Sequence, residues 1–201
     1  MANIRAIGIT VLISSVLLFI VKAEAFEGDD TFGPSYKIEG KNLTIYYSPG
    51  LEMPSLVQAL NIRPADRLLA GKSLKSGYSQ EEELADILDT LFIEVCEILD
   101  MRLYSFKGDI KICKDQNQLN KIYYNLFDKE LRGTYSFYVR DNNTIYISAE
   151  NFKREILGHE IAHAIICHYF VVSPSVKIQE VLSKYVEYQL RKSSQQIQVI
   201  K

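Results

Sequence analysis

The residues of this chain with the clearest chemical potential are five consecutive ones, His159-Glu160-Ile161-Ala162-His163. On a helix, His159 and His163 lie one turn apart on the same face, so both imidazoles can reach a single metal ion. Glu160 then points toward the open side of that ion, where its carboxylate can take a proton from a bound water. The H-E-x-x-H spacing therefore predicts a metal site that activates water for hydrolysis, with Glu160 as the general base.

The histidines are concentrated in one segment. All three of them lie between His159 and His168. The surrounding residues are apolar on every side, which predicts a buried helix from Ala149 to about Tyr169, with Ser148 as its cap. Buried imidazoles and a buried carboxylate need polar partners, and a metal ion would supply them. The alternative is a buried helix with two hydrogen-bonded core histidines and a surface glutamate.

The first 25 residues have the pattern of a secretory signal peptide. A single basic residue, Arg5, is followed by an apolar stretch, Ala6–Val21, and by the small-residue site Ala23-Glu24-Ala25. We therefore expect a secreted or periplasmic protein that is cleaved after Ala25. The alternative is an uncleaved segment that attaches the protein to a membrane.

Composition limits the remaining possibilities. The formal net charge is −2 and there is no basic run, which excludes a nucleic-acid-binding protein. We expect residues 26–36 to form a flexible leader, residues 37–192 one domain, and residues 193–201 a frayed tail. The length of this domain allows a real hydrophobic core.

Three cysteines, Cys96, Cys113 and Cys167, are an odd number for an exported protein. Their proximity in sequence makes Cys96–Cys113 the candidate disulfide. The alternative is three small buried side chains without a disulfide. None of the three has the C-x-x-C spacing of a metal or redox site.

The order of predicted elements indicates an α+β fold, in which a small mixed or antiparallel sheet packs on a long helix and two metal-binding helices follow. A capping box at Ser79–Glu82 marks the start of the long helix, which reaches about Met101. The other predicted elements are a strand at Lys41–Ser48, a strand at Asp109–Lys114, a helix near Asn117–Phe127, a hairpin of Thr134–Arg140 with Thr144–Ser148, and a last helix at Val176–Arg191.

A catalytic zinc usually has three protein ligands, so a third must come from elsewhere in the chain. The metzincin pattern would continue with Gly and His, but Ile166 and Tyr169 occupy those positions. His168 lies about 140° around the helix from His163, so it cannot join the same ion. Cys167 lies one turn after His163 and is an alternative ligand, although its position better fits a residue that lines the pocket.

The segment Ile178–Tyr185 contains Glu180, with 16 residues between it and His163. With this glutamate the chain resembles the gluzincin zinc metallopeptidases, and in particular the peptidase MA-like domains of exported bacterial proteins. The resemblance implies a zincin-like domain with one Zn²⁺ per chain. It further implies that His159, His163 and Glu180 are the metal ligands and that Glu160 is the catalytic base.

The chain departs from the family pattern after Glu180. Val181 and Ser183 replace a frequent Gly and Ala, so Val181 is expected to alter how closely the two metal helices approach. Glu180 and Glu187 also fit a solvated stripe of ion pairs with Lys184 and Arg191. Glu187 therefore remains an alternative third ligand, and ions other than zinc remain possible occupants of the site.

From these features we expect an exported zinc-dependent peptidase that hydrolyses a peptide or protein substrate through a metal-activated water. The substrate would lie extended beside Thr134–Val139. Tyr135, Tyr138 and Tyr185 are candidates for stabilising the oxyanion. One alternative is a catalytically inactive binding module of the cell envelope that keeps the peptidase fold, and another is a zinc hydrolase with a non-peptide substrate.

Overall fold

The structure, a computed structural model, describes residues 30–62, Arg67 and residues 79–199, without the side chains of residues 195–199. The predicted signal peptide lies outside these residues. The described strands are β1 (Tyr36–Glu39), β2 (Leu43–Tyr47), β3 (Gly108–Cys113), β4 (Ser136–Val139) and β5 (Thr144–Ser148). The described helices are α1 (Met53–Leu60), α2 (Gln80–Leu99), α3 (Gln116–Phe127), α4 (Arg154–Tyr169) and α5 (Val176–Val199).

The five strands form one mixed sheet in the order β1-β2-β3-β5-β4, which confirms the α+β class. The three central strands are parallel, and β1 and β4 are antiparallel edge strands. The predicted hairpin is present as β4 and β5, with Asn143 in its turn at a positive φ of 50°. Among the described helices, none has the length and apolar character needed to cross a membrane.

The two faces of the sheet belong to separate hydrophobic clusters. Alternation along the strands sends Ile110 and Ile112 to the larger cluster, which includes α2 and α4, and sends Tyr146 to a smaller one with α3. Cys96 belongs to the larger cluster and Cys113 to the smaller. The candidate Cys96–Cys113 disulfide is therefore absent, and all three cysteines are free thiols.

Helix α2 is fixed at its start and in its middle. Ser79 and Glu82 form the predicted capping box, in which each side chain bonds to the other residue's backbone N–H. Farther along, the buried Asp89 accepts hydrogen bonds from the backbone N–H groups of Lys41 and Asn42 at 2.7 and 2.8 Å. These bonds tie α2 to the turn between β1 and β2.

Residues 30–36, predicted as the second half of a flexible leader, pack against the sheet. Phe32 is buried in the smaller cluster because apolar side chains of α3 and the sheet surround it. Asp30 accepts a hydrogen bond from the Tyr146 hydroxyl at 2.7 Å and pairs with Lys111. The packed part of the chain therefore begins before β1.

The boundaries of the last two helices differ from the predicted ones. A short 3₁₀ helix, Ala149–Asn151, precedes α4, and the Ser148 side chain makes no capping hydrogen bond, so the predicted cap is wrong. Helix α4 begins instead at the buried Arg154, which pairs with Glu94 of α2 at 2.6 Å. Helix α5 continues to Val199 through the predicted tail, since no glycine or proline interrupts it.

Candidate metal centre

Helices α4 and α5 pack closely, and this packing positions the centre. Gly158 permits it, since a Cβ at this position would lie 2.1 Å from Leu190 Cδ1. Ser183 is fully buried, whereas Val181 is 62% exposed. The expectation that Val181 affects the approach of the two helices is therefore wrong, because its side chain points to solvent.

Donor groups of three residues on these helices, two imidazoles and one carboxylate, converge on one point. The His159 and His163 Nε2 atoms are 3.2 Å apart, and Glu180 Oε1 lies 3.3 Å from His163 Nε2. Glu180 Oε2 lies 3.7 Å from His159 Nε2. Tetrahedral zinc with bonds of about 2.0–2.1 Å separates its ligand atoms by about 3.3 Å. The donor set and its spacing therefore fit a zinc ion, and within the described residues no other such group occurs.

The protonation of the histidines suits a metal ligand. Burial lowers the pKa of His159, against the opposing effect of Glu180 and Glu187. Burial also lowers the pKa of His163, and the neighbouring His159 adds to this effect. Neutral imidazole, the form that binds a metal, is thus favoured at neutral pH.

Glu187 occupies a different position from Glu180. Its Oε2 lies 3.5 Å from His159 Nδ1. This N–O distance is too long for a good hydrogen bond, so the contact is mainly electrostatic. The other nitrogen of this ring, Nε2, is the one that faces His163 and Glu180. Glu187 also pairs with Arg191, as the predicted stripe of ion pairs requires, while Glu180 turns to the histidines. Glu187 therefore lies next to the candidate ligand His159 and is not part of the group of three residues that converge.

Glu160 is buried and faces the edge strand β4. Its Oε1 accepts a hydrogen bond from Ser136 Oγ at 2.7 Å, and its carboxylate accepts another from the backbone N–H of Tyr138. Burial raises the pKa of Glu160 to about 7, and the charge of Glu180 adds to the rise against the effect of these two hydrogen bonds. A carboxyl group with this pKa can both accept and release a proton near neutral pH.

A cleft of about 450 Å³ opens beside these residues, between the start of β4 and the helices α4 and α5. Tyr135 lines it together with His159 and Glu160. The Tyr138 hydroxyl donates to Asn143 Oδ1 at 3.0 Å, and Tyr185 is 48% exposed on α5. Of the three tyrosines considered for the oxyanion, Tyr135 is thus the one that lines this cleft.

Two contacts of the centre were not predicted. The first is the hydrogen bond between Ser136 and Glu160, which are 24 residues apart in the sequence. No local sequence pattern predicts a bond between a strand hydroxyl and a helix carboxylate at that separation. The second contact is that of Gln179, which directly precedes Glu180 and whose side chain raises the pKa of His163. Glu187, by contrast, is seven residues after Glu180, so helical period alone places both on one side of α5.

Comparisons with protein-family models, with curated proteins and with solved structures found no match to this chain. The geometry of the centre is therefore what indicates its chemistry. The charge, burial and spacing of the four residues His159, Glu160, His163 and Glu180 are the observations that bear on it.

Proposed function

We propose that this protein is a gluzincin-type zinc peptidase with a zincin-like fold, in which His159, His163 and Glu180 hold the metal. The observation that carries the proposal is the convergence of two imidazoles and one carboxylate: the two Nε2 atoms are 3.2 Å apart, and each lies 3.3 to 3.7 Å from an oxygen of Glu180. Two neutral imidazoles and one carboxylate are a ligand set that catalytic zinc commonly has. The packing of α4 against α5 holds this set together without help from a loop.

A zinc ion in this site would supply a Lewis acid that polarises a carbonyl and lowers the pKa of water to about 7. Glu160 is the residue that moves the proton: its carboxylate accepts it from the attacking water and delivers it to the leaving amine. Ser136 and the Tyr138 N–H fix the orientation of the carboxylate. The pKa of about 7 suits both halves of this transfer.

The substrate would be an extended polypeptide paired with β4. This strand lies at the edge of the sheet, so one of its sides offers backbone groups to a new strand. Pairing of this kind orients a peptide through its main chain and leaves the side chains to select it. Because Ser136 and Tyr138 of β4 also bond to Glu160, a paired peptide would lie next to the catalytic carboxylate.

The first experiment measures the metal content of the purified full chain and of Glu180→Ala. We expect about one zinc per chain in the wild type and its loss in E180A, since a site with two remaining ligands binds weakly. Glu155→Ala, from the same cleft, is the matched control and should keep its zinc. A wild-type chain without zinc after reloading, or an E180A variant that retains it, contradicts the proposed ligand set.

The second experiment tests catalysis with Glu160→Gln. This variant should keep its zinc and lose peptide hydrolysis by about 10²–10⁴-fold, because the amide cannot accept the proton. The readout is cleavage of a peptide library by wild type and variant at equal zinc content. A wild type that binds zinc and cleaves no peptide would favour the non-catalytic binding module, and full activity in E160Q would contradict the mechanism.

A further inference from the structure

Helix α5 exposes an unusual set of side chains. Of its residues up to Ser194, every one that is exposed as a whole is apolar, aromatic or cationic, while the side chain of Glu180 is 44% exposed at the edge of this set. This outer face of α5 consists of Val176, Lys177, Ile178, Val181, Lys184, Tyr185, Tyr188, Arg191 and Lys192. The two glutamates of this part of the helix, Glu180 and Glu187, face the histidines instead.

The loop that leads into α5 continues this surface. Val171 is fully exposed and Val172 is 82% exposed, and both follow Tyr169 and Phe170, which are exposed as well. Val176, at the start of α5, is 72% exposed. Single exposed apolar residues are normal in a soluble protein, but a contiguous set marks an interaction surface.

We propose that the outer face of α5 and the adjoining loop form a docking surface for an anionic lipid bilayer. Amphipathic helices that lie on membranes combine aromatic and aliphatic side chains with lysines and arginines. Tyrosine is enriched at the membrane–water interface, where its ring is buried and its hydroxyl stays hydrated. In this arrangement Val171 and Val172 enter the acyl boundary and the cations contact lipid phosphates.

The charges of the surface argue against a second copy of the chain. A symmetric dimer through this face would bring together three lysines from each copy, Lys177, Lys184 and Lys192, whereas Arg191 is already paired with Glu187. A nucleic acid would contact the lysines and the exposed rings, but it offers no apolar surface to cover Val171 and Val172. A negatively charged apolar surface, which a bilayer with anionic headgroups provides, complements both properties.

This proposal does not depend on the presence of zinc or on catalysis. It has a geometric consequence for the metal centre, because Glu180 and Val181 are neighbours on α5, about 100° apart around the helix axis. A bilayer on the outer face would therefore lie beside the helix that supplies Glu180. The cleft would open close to the membrane surface.

The chain contains no tryptophan, so one introduced tryptophan reports its own surroundings. The test places it at the loop tip in the full-length variant Val172→Trp. The control is Tyr124→Trp on α3, a position that is 54% exposed and belongs to the helix on the other face of the sheet. Emission is recorded with vesicles of phosphatidylcholine alone or with phosphatidylglycerol, carrying brominated acyl chains as quenchers.

We expect V172W to shift to shorter wavelength and to be quenched by the anionic vesicles, while Y124W is unchanged. Equal quenching of both variants would mean that another segment, such as the apolar stretch Ala6–Val21, holds the chain on the vesicle, and would overturn the proposal. The absence of a shift with vesicles would overturn it too. So would a concentration-dependent shift without lipid, which indicates a second copy.

The cationic part of the surface is tested with the triple variant K177Q/K184Q/K192Q. Each lysine near an anionic surface strengthens binding by about fivefold, so the variant should lose about 100-fold in affinity for anionic vesicles. The matched control is K114Q/K121Q/K129Q, which removes three exposed lysines around α3 and should bind like the wild type. Equal affinity of both triple variants would overturn the electrostatic part of the proposal.

Discussion

At the metal centre, the two nitrogens of the His159 ring have different neighbours. Nε2 faces His163 and Glu180, whereas Nδ1 faces Glu187 at 3.5 Å. A carboxylate at Nδ1 favours the tautomer that carries its proton there, which leaves the Nε2 lone pair free for a metal. Arg191 holds Glu187 from its other side. At the scale of single residues, we therefore propose that Glu187 positions His159 to bind the metal.

The prediction at this scale concerns Glu187→Gln. Loss of the charge should weaken zinc binding by about tenfold, the lower end of the range for residues that orient a metal-bound histidine. The measurement is a competition titration of zinc against a chromophoric chelator. Glu155→Gln, in the same cleft, serves as the control and should bind like the wild type. Unchanged affinity in E187Q would remove the positioning role.

At the scale of elements, the centre depends on how closely two helices pack. Gly158 precedes His159 directly and packs against Leu190, with Val186 nearby. The buried Arg154, in the first turn of α4, also pairs with Glu94 of α2. The start of α4 is therefore held by α2 on one side and α5 on another, and the spacing between the histidines and Glu180 follows from this packing.

The prediction at this scale concerns Gly158→Ala. Overpacking costs about 1–3 kcal/mol, and the better helix propensity of alanine returns up to about 1 kcal/mol. We expect a net loss of about 1 kcal/mol in the free energy of unfolding, measured by denaturant titration, together with weaker zinc binding as α5 moves away from α4. The control is Ala164→Gly, farther along α4, which should lose stability without a specific loss of zinc affinity. Stability and zinc affinity at wild-type level in G158A would contradict this account.

At the scale of the whole molecule, the segment before β1 packs on the face of the sheet opposite α4 and α5. Burial by itself would raise the pKa of Asp30, but hydrogen bonds from Lys111, Tyr146 and the Phe32 N–H outweigh it and lower the pKa. A group whose pKa is lowered in the folded state stabilises that state above its unfolded pKa. This stabilisation is lost as the pH falls through the folded pKa.

The prediction at this scale compares wild type with Asp30→Asn across pH. At pH 7 the variant should be less stable by about 1.5–3 kcal/mol, the contribution of hydrogen bonds to a charged group. The difference should stay constant above about pH 5 and shrink below about pH 4, where the wild-type carboxylate takes up its proton. Denaturant titrations at several pH values measure it. A difference that does not change with pH would mean that the charge of Asp30 is not what stabilises the fold.

Local patterns account for much of what was predicted. The 3.6-residue period and the capping box at Ser79 defined α2, and alternation of apolar residues defined β3 and the hairpin. The four-residue spacing of His159 and His163 placed both imidazoles on one face of α4. Such features depend on residues within one or two turns of each other, so the amino-acid sequence alone determines them. The exposed strand β1 lacks such a pattern and was not predicted.

The tertiary structure alone decided which glutamate faces the metal centre. Glu180 and Glu187 are two helical turns apart on the same side of α5, so their spacing cannot distinguish them. The packing of α5 against Gly158 fixes the position of α5 along α4. In this position Glu180 lies next to the two Nε2 atoms and Glu187 lies next to His159 Nδ1. The position of one helix along another depends on how side chains from the two helices fit together. The order of residues within either helix does not determine it, so only the tertiary structure could.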